Sequence, residues 1–265
     1  MCTYINGLIH FFEKPEVAGA IIGAIISVIG FLLISRNQNN IAEKNQEIQN
    51  KLIKENQFET TFLSLLEILR QLVNTTKGVV MYKNASSIPL NAPSKNNEAE
   101  GPAFFTLAAA RLKSNMQASL TMSDLASLGK MDTDKNYAGI GELLREKAET
   151  VFNDFFYQHT SQLAHYFRLV YNIIKYVDTS EITEDKKKFY VNLIQAQMSS
   201  DELALLFYNG IGENGENFYK YMVTYNDFLQ NIDTAKIFEP NFHLNFYPGH
   251  KFFHGNSHKL ESLNN

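Results

Sequence analysis

The chain has 265 residues, with 24 Lys and Arg against 28 Asp and Glu for a net charge of −4 and a pI near 6.0. That balance excludes a protein built to coat nucleic acid, which needs a strongly basic face, so nucleic acid is not expected as a partner. The lone cysteine, Cys2, excludes an internal disulfide framework and fits a reducing compartment.

The first 16 residues read as a short flank carrying Glu13, Lys14 and Glu16. Residues 17–35, VAGAIIGAIISVIGFLLIS, contain no charge and eleven Ile, Leu, Val or Phe. As a helix they span roughly 28 Å, close to the bilayer's hydrocarbon thickness of about 30 Å. The stretch predicts a single-pass transmembrane helix, with the lipid bilayer as partner. A cleaved signal peptide is the rival reading, but its usual form has a basic start, a shorter apolar run and small residues at its exit. Leu33-Ile34-Ser35-Arg36 is a poor cleavage site. A buried core helix would need protein on every side. Within the stretch, Gly19, Gly23, Ser27 and Gly30 fall within about 80° of one helical face at 100° per residue. Gly19 and Gly23 make a GxxxG pair, the spacing that lets helix backbones approach closely in lipid. These four residues are the expected oligomer interface in the membrane. Arg36, Lys44, Lys51 and Lys54 follow the span and Lys14 precedes it, which predicts a cytoplasmic C-terminal body.

Arg36 to Lys77 reads as a long helix continuing from the span, its first part (36–57) a stalk. Ile41, Asn45, Ile48, Leu52, Glu55, Glu59, Phe62, Leu66, Leu69 and Val73 step by four and three, a heptad seam with three polar interruptions. Ile41, Ile48 and Leu52 are the expected stalk interface between copies. From Phe58 the stripe widens (Phe58, Phe62, Leu65, Leu66, Leu69, Leu72, Val73) and should pack into a helical body spanning 58–235.

Residues 84–102, with Pro89, Pro93, Pro102 and several Ser and Asn, predict a loop inside that body. Helices are expected at Ala103–Ala118, Ile140–Val177, Asp185–Met198, Asp201–Asn209 and Glu216–Asn231. Ser199 three residues before Glu202 fits a capping box, and Thr183 before Glu184 and Asp185 a similar start. Partial alternation over Phe238–Phe246 is the best candidate for a strand. Residues 236–265 form an aromatic and His-rich tail. The fold class is all-α.

Most chemical motifs fail on inspection. Gly210-x-Gly212-x-x-Gly215 matches the dinucleotide fingerprint by letter but follows a helical run, so a helix-ending turn is expected. Asp132, Asp134 and Asn136 begin like a calcium loop, yet Tyr137 sits where Gly must turn the chain and Leu143 where a bidentate Glu belongs. No GxxxxGK[ST], HExxH or paired-cysteine pattern is present. His250, His254 and His258 recur every four residues beside His243, a spacing that would align imidazoles for zinc or nickel, but Pro248, Gly249 and Gly255 oppose a regular helix. No metal or other cofactor is expected. Arg168 and Tyr171 share a helix face, ready for an anion or a neighbouring helix. The structural alternative is an aromatic core with Arg168 held by a carboxylate.

The blocks from Phe58 to Leu66, Gly101 to Leu107, His165 to Tyr176 and Gln195 to Asn209 resemble the phage abortive infection family, over about Phe58 to Asn231. YFR-x-x-Y and AQ-x-S-x-x-EL-x-LLFYN carry the likeness, so Tyr166, Arg168, Tyr171, Gln197, Ser199, Glu202, Tyr208 and Asn209 form the expected family-motif surface. The family usually shows Arg where this chain has Gln195, and often Arg where it has Pro102. The resemblance implies a membrane-anchored bacterial antiphage protein with a cytoplasmic helical body, hence the inner membrane. Two functions follow as expectations. One is a homo-oligomeric effector that impairs the bilayer on infection. The other is a tethered sensor or adaptor that binds a phage component or a partner of the defence system. An enzyme is not expected, because no nucleophile–base or metal constellation emerges.

Overall fold

The computed structural model describes residues 15–80, 98–120 and 134–249. The chain divides into two units, residues 1–59 and 60–265, with the boundary inside the first helix. That helix, α1 (Pro15–Thr75), runs without a break through Arg36, joining the uncharged stretch to the stalk. It contains no internal Pro, and its glycines all lie in the apolar part.

From Ile21 to Ile53 the large apolar side chains of α1 are exposed: Ile26 is 64 % and Phe31 71 % accessible. Gly19, Gly23 and Gly30 have open space where a Cβ would sit. The Ser27 hydroxyl donates to the Gly23 carbonyl at 2.9 Å, so its polarity is satisfied within its own helix. Among the described residues, α1 is the one helix long and apolar enough to cross a membrane, and none of its most apolar window is buried. A contiguous exposed surface of this kind needs lipid or another protein against it.

The second unit is an all-α body with, among the described residues, one small strand pair. After α1 comes β1 (Lys77–Val79), antiparallel to β2 (Glu98–Glu100) with Lys77 opposite Glu100 and Val79 opposite Glu98. Among the described residues six helices follow: α2 (Pro102–Ser119), α3 (Asp134–Gln158), α4 (Thr160–Asp178), α5 (Glu184–Ala196), α6 (Ser200–Ile211) and α7 (Glu216–Thr224). The one-turn helix α8 (Pro240–His243) runs into a 3₁₀ turn, Leu244–Phe246. Helix α6 is buried on nearly every side, from Glu202 to Tyr208 and again at Gly210 and Ile211. An all-round apolar helix is stable only when wrapped, and α2, α3 and α7 wrap it. Phe62, Phe104, Phe105, Phe155, Tyr166 and Phe207 fill the core between these helices. Edge-on and tilted ring contacts knit it together, including Phe62 to Tyr190 and Phe105 to Tyr166, each at 4.8 Å.

The structure corrects four boundaries. The end of the loop expected over 84–102 holds β2 and the first residue of α2. Gly101 adopts φ 63°, a left-handed conformation suited to glycine, and its N–H donates to the Thr76 carbonyl at 2.8 Å, closing the strand pair. The helix expected over Ile140–Val177 is two helices broken at His159, whose ring packs 4.6 Å from Phe155 and 6.4 Å from Phe104. The helix expected to reach Asn231 stops at Thr224 and gives way to turns anchored by the Tyr225 hydroxyl on Asp178, 2.7 Å. The suspected strand over Phe238–Phe246 is helical in α8 and the 3₁₀ turn.

Candidate functional site

The family-motif residues separate into a buried polar skeleton around α6 and a small exposed set. At the start of α6 the capping box forms as the sequence predicts. The Ser199 hydroxyl accepts from the Glu202 N–H at 3.2 Å, and Glu202 Oε2 accepts from the Ser199 N–H (2.9 Å) and Oγ (2.8 Å). The other oxygen, Oε1, accepts from the Tyr166 hydroxyl of α4 at 3.1 Å. Burial first, and the Glu202 charge second, push the Tyr166 phenol well up, which keeps its proton on the donor oxygen. One carboxylate thus caps α6 and ties it to α4. Beside it, Asp201 accepts from the Thr106 hydroxyl of α2 at 2.8 Å and pairs with Lys236 at 2.9 Å.

Tyr208 does the same work at the far end of α6. Its oxygen accepts from the Phe238 N–H at 3.0 Å and lies 2.9 Å from His243 Nδ1. With the phenol held protonated by burial, the hydroxyl donates to Nδ1, which assigns the ring proton of His243 to Nε2. That nitrogen is buried without a hydrogen-bond partner among the described residues. Burial pulls the His243 pKa down to about 3, so the ring is neutral. Tyr247 completes the attachment of the C-terminal segment by donating to the Phe207 carbonyl at 2.7 Å.

The glycine triplet after this point is a packing device. A Cβ on Gly210 would sit 2.0 Å from the Tyr247 hydroxyl, on Gly212 2.6 Å from the Phe152 ring, and on Gly215 1.7 Å from the Asn209 carbonyl. Gly212 caps α6 and Gly215 starts α7, with no strand before them to present a nucleotide phosphate. The helix-ending turn is correct.

The exposed set is smaller. Arg168 points into solvent, its Nε donating to the Ala164 carbonyl at 3.1 Å and Nη2 lying 3.4 Å from His165 Nδ1. The carboxylate partner entertained for it is replaced by these neighbours on its own helix. Tyr171 is half-buried and turns to α7, 5.6 Å from the Tyr221 ring, with Lys175 over its face. Arg168 and Tyr171 therefore serve different neighbours. Gln197 caps the end of α5 with an exposed side chain, while Asn209 contributes its carbonyl to the turn after α6. Gln195 is buried and donates to the Asp227 carbonyl at 3.3 Å, an amide filling a helix-to-turn bond. Pro102 occupies the first turn of α2, where its missing N–H costs nothing.

No group of three or more His, Cys, Asp or Glu among the described residues is arranged to hold a metal ion. His250, His254 and His258 lie outside the described residues. Sequence reasoning missed Thr106, Lys236, His243 as a tyrosine partner and Tyr247. Their partners lie 35 to 95 residues away in sequence, beyond any local periodicity.

Residues 158–237 match the model of the family described as "Putative phage abortive infection protein". The matched span runs from the end of α3 through α7 to the turn that carries Lys236, and includes every family-motif residue named above. No curated protein and no solved structure matches the chain. Over that span, α4 to α7 are similar to the phage abortive infection family.

Proposed function

We propose that the chain is a membrane-anchored antiphage effector that assembles from copies of itself and impairs the bilayer when a phage infects. Two observations support this reading: the family match over 158–237, and an uncharged helical stretch whose large apolar side chains from Ile21 to Ile34 are exposed. The second carries the mechanism, because a helix with an open small-residue face gives copies a place to meet in lipid. The excess of Arg and Lys after the span supports a body on the cytoplasmic side of the inner membrane. No catalytic role is assigned to the α4–α7 region; its buried carboxylates and phenols hold helices together.

Replacing both Gly19 and Gly23 with Ile tests the reading. The double variant should lower the oligomer mass in detergent and abolish protection against phage, with the body still folded. Unchanged mass and unchanged protection sink it. Membrane depolarisation on infection marks the effector. An intact potential with a co-purified phage or host component marks the tethered-sensor alternative, for which Arg168 and Gln197 supply the exposed motif residues.

A further inference from the structure

Because α1 is one unbroken helix, faces defined far apart in its sequence can be compared directly. At about 100° per residue, Ile41, Asn45, Ile48 and Leu52 fall in the same sector of roughly 80° that holds Gly19, Gly23, Ser27 and Gly30. Ile41, Ile48 and Leu52 are each more than half exposed. We infer that this stalk face pairs with a second copy of the chain as a parallel, in-register coil from Ile41 to Leu52. The inference rests on the membrane reading above and specifies how the copies meet.

Three features select this partner and orientation. Copies inserted alike in one bilayer start their stalks side by side, and confinement there raises the effective concentration of a seam too short to pair by itself in solution. In the heptad, Ile41 and Ile48 take d while Asn45 and Leu52 take a. A parallel, in-register pair sets Asn45 against Asn45, amide to amide, whereas a slipped or antiparallel pair buries that amide against Ile or Leu. Lys44 and Lys51 take g. Parallel packing sets them beside the partner's neutral e residues, Gln49 and Asn56; antiparallel packing sets lysine against lysine. Beyond Leu52 the seam continues as Glu55 and Glu59, which set like charges against each other across the seam and mark the end of the paired segment.

The test uses full-length protein in membranes with Cys2→Ser as background. Ile48→Cys lies on the seam and Asn50→Cys on the opposite face. Under mild oxidation Ile48→Cys should give a covalent dimer band and Asn50→Cys should not. Ile48→Ser should lose the cross-link of an Ile41→Cys reporter, while Ile53→Ser, equally exposed but off the seam, should leave it intact. Equal cross-linking at positions 48 and 50 overturns the pairing. So does no cross-link at 48 in a chain that is still oligomeric by mass, which leaves the membrane reading standing. Release of the intact chain from vesicles by carbonate overturns the membrane reading and the pairing together.

Discussion

Ile, Leu and Phe occur in both the first stretch of α1 and the body, yet the two regions treat them oppositely. Phe31 is 71 % exposed, whereas Phe62, Phe105 and Phe207 are 0 % exposed. In the body α6 is wrapped almost completely by its neighbours. In the first unit none of the most apolar window of α1 is buried. The same hydrophobic driving force, roughly 25 cal/mol per Å² removed from water, folds one region internally and is left unspent on the exposed side chains of the other. The family likeness falls on the internally satisfied region, so much of what reads as a family signature is the body's scaffolding.

The largest test of this contrast is a pair of truncations. Phe105→Ala should cost the body about 3–5 kcal/mol, because the ring packs 5.5 Å from Phe104 and 4.8 Å from Tyr166 with no solvent access. Phe31→Ala should leave the body's unfolding free energy within about 0.5 kcal/mol. Urea unfolding of the full chain in detergent, followed by tyrosine fluorescence, measures both, and equal losses would break the comparison.

Acid probes the buried skeleton more gently. His243 has a folded pKa of about 3, below the ordinary value of 6.5, so the unfolded chain binds its proton first. Its contribution is fully present above about pH 6.5 and is lost as pH falls toward 3, at about 1.4 kcal/mol per pH unit. His159, lowered by burial and then by the nearby Arg111 charge, acts in the same direction. Between pH 7 and pH 5 the body should lose about 2 kcal/mol through His243. His243→Gln, which keeps a polar group near Tyr208 but does not titrate, should flatten that slope. An unchanged slope would remove His243 from the account.

The smallest stability effect and the sharpest functional one are expected at Arg168. Its guanidinium is exposed and bonded to its own helix, so Arg168→Ala should shift stability by less than about 0.5 kcal/mol while phage protection falls. Protection at the parent level would leave the family motif with a structural role alone.

How far the sequence foretold the structure follows from where each signal is stored. The uncharged stretch, the capping box at Ser199 and Glu202, and the Thr183 start of α5 are local patterns, and the structure has all three. The break at His159 was illegible because neither Pro nor Gly marks it; packing against Phe155 and Phe104 sets it. Strands of three residues are too short to show alternation, and β1 and β2 depend on Gly78, where a Cβ would lie 2.9 Å from the Phe104 ring. Tyr166, Glu202 and Tyr208 were legible as family residues but their burial was not, since it depends on α2, α3 and the C-terminal segment closing over them. His243 was grouped with the tail histidines by spacing, whereas its partner is a phenol 35 residues earlier.

Membrane partition of the intact, full-length chain tests the central claim most directly. After alkaline carbonate treatment and flotation, the account predicts that the protein rises with the lipid and is released by detergent alone. Recovery in the soluble fraction as a monodisperse species without detergent would contradict it.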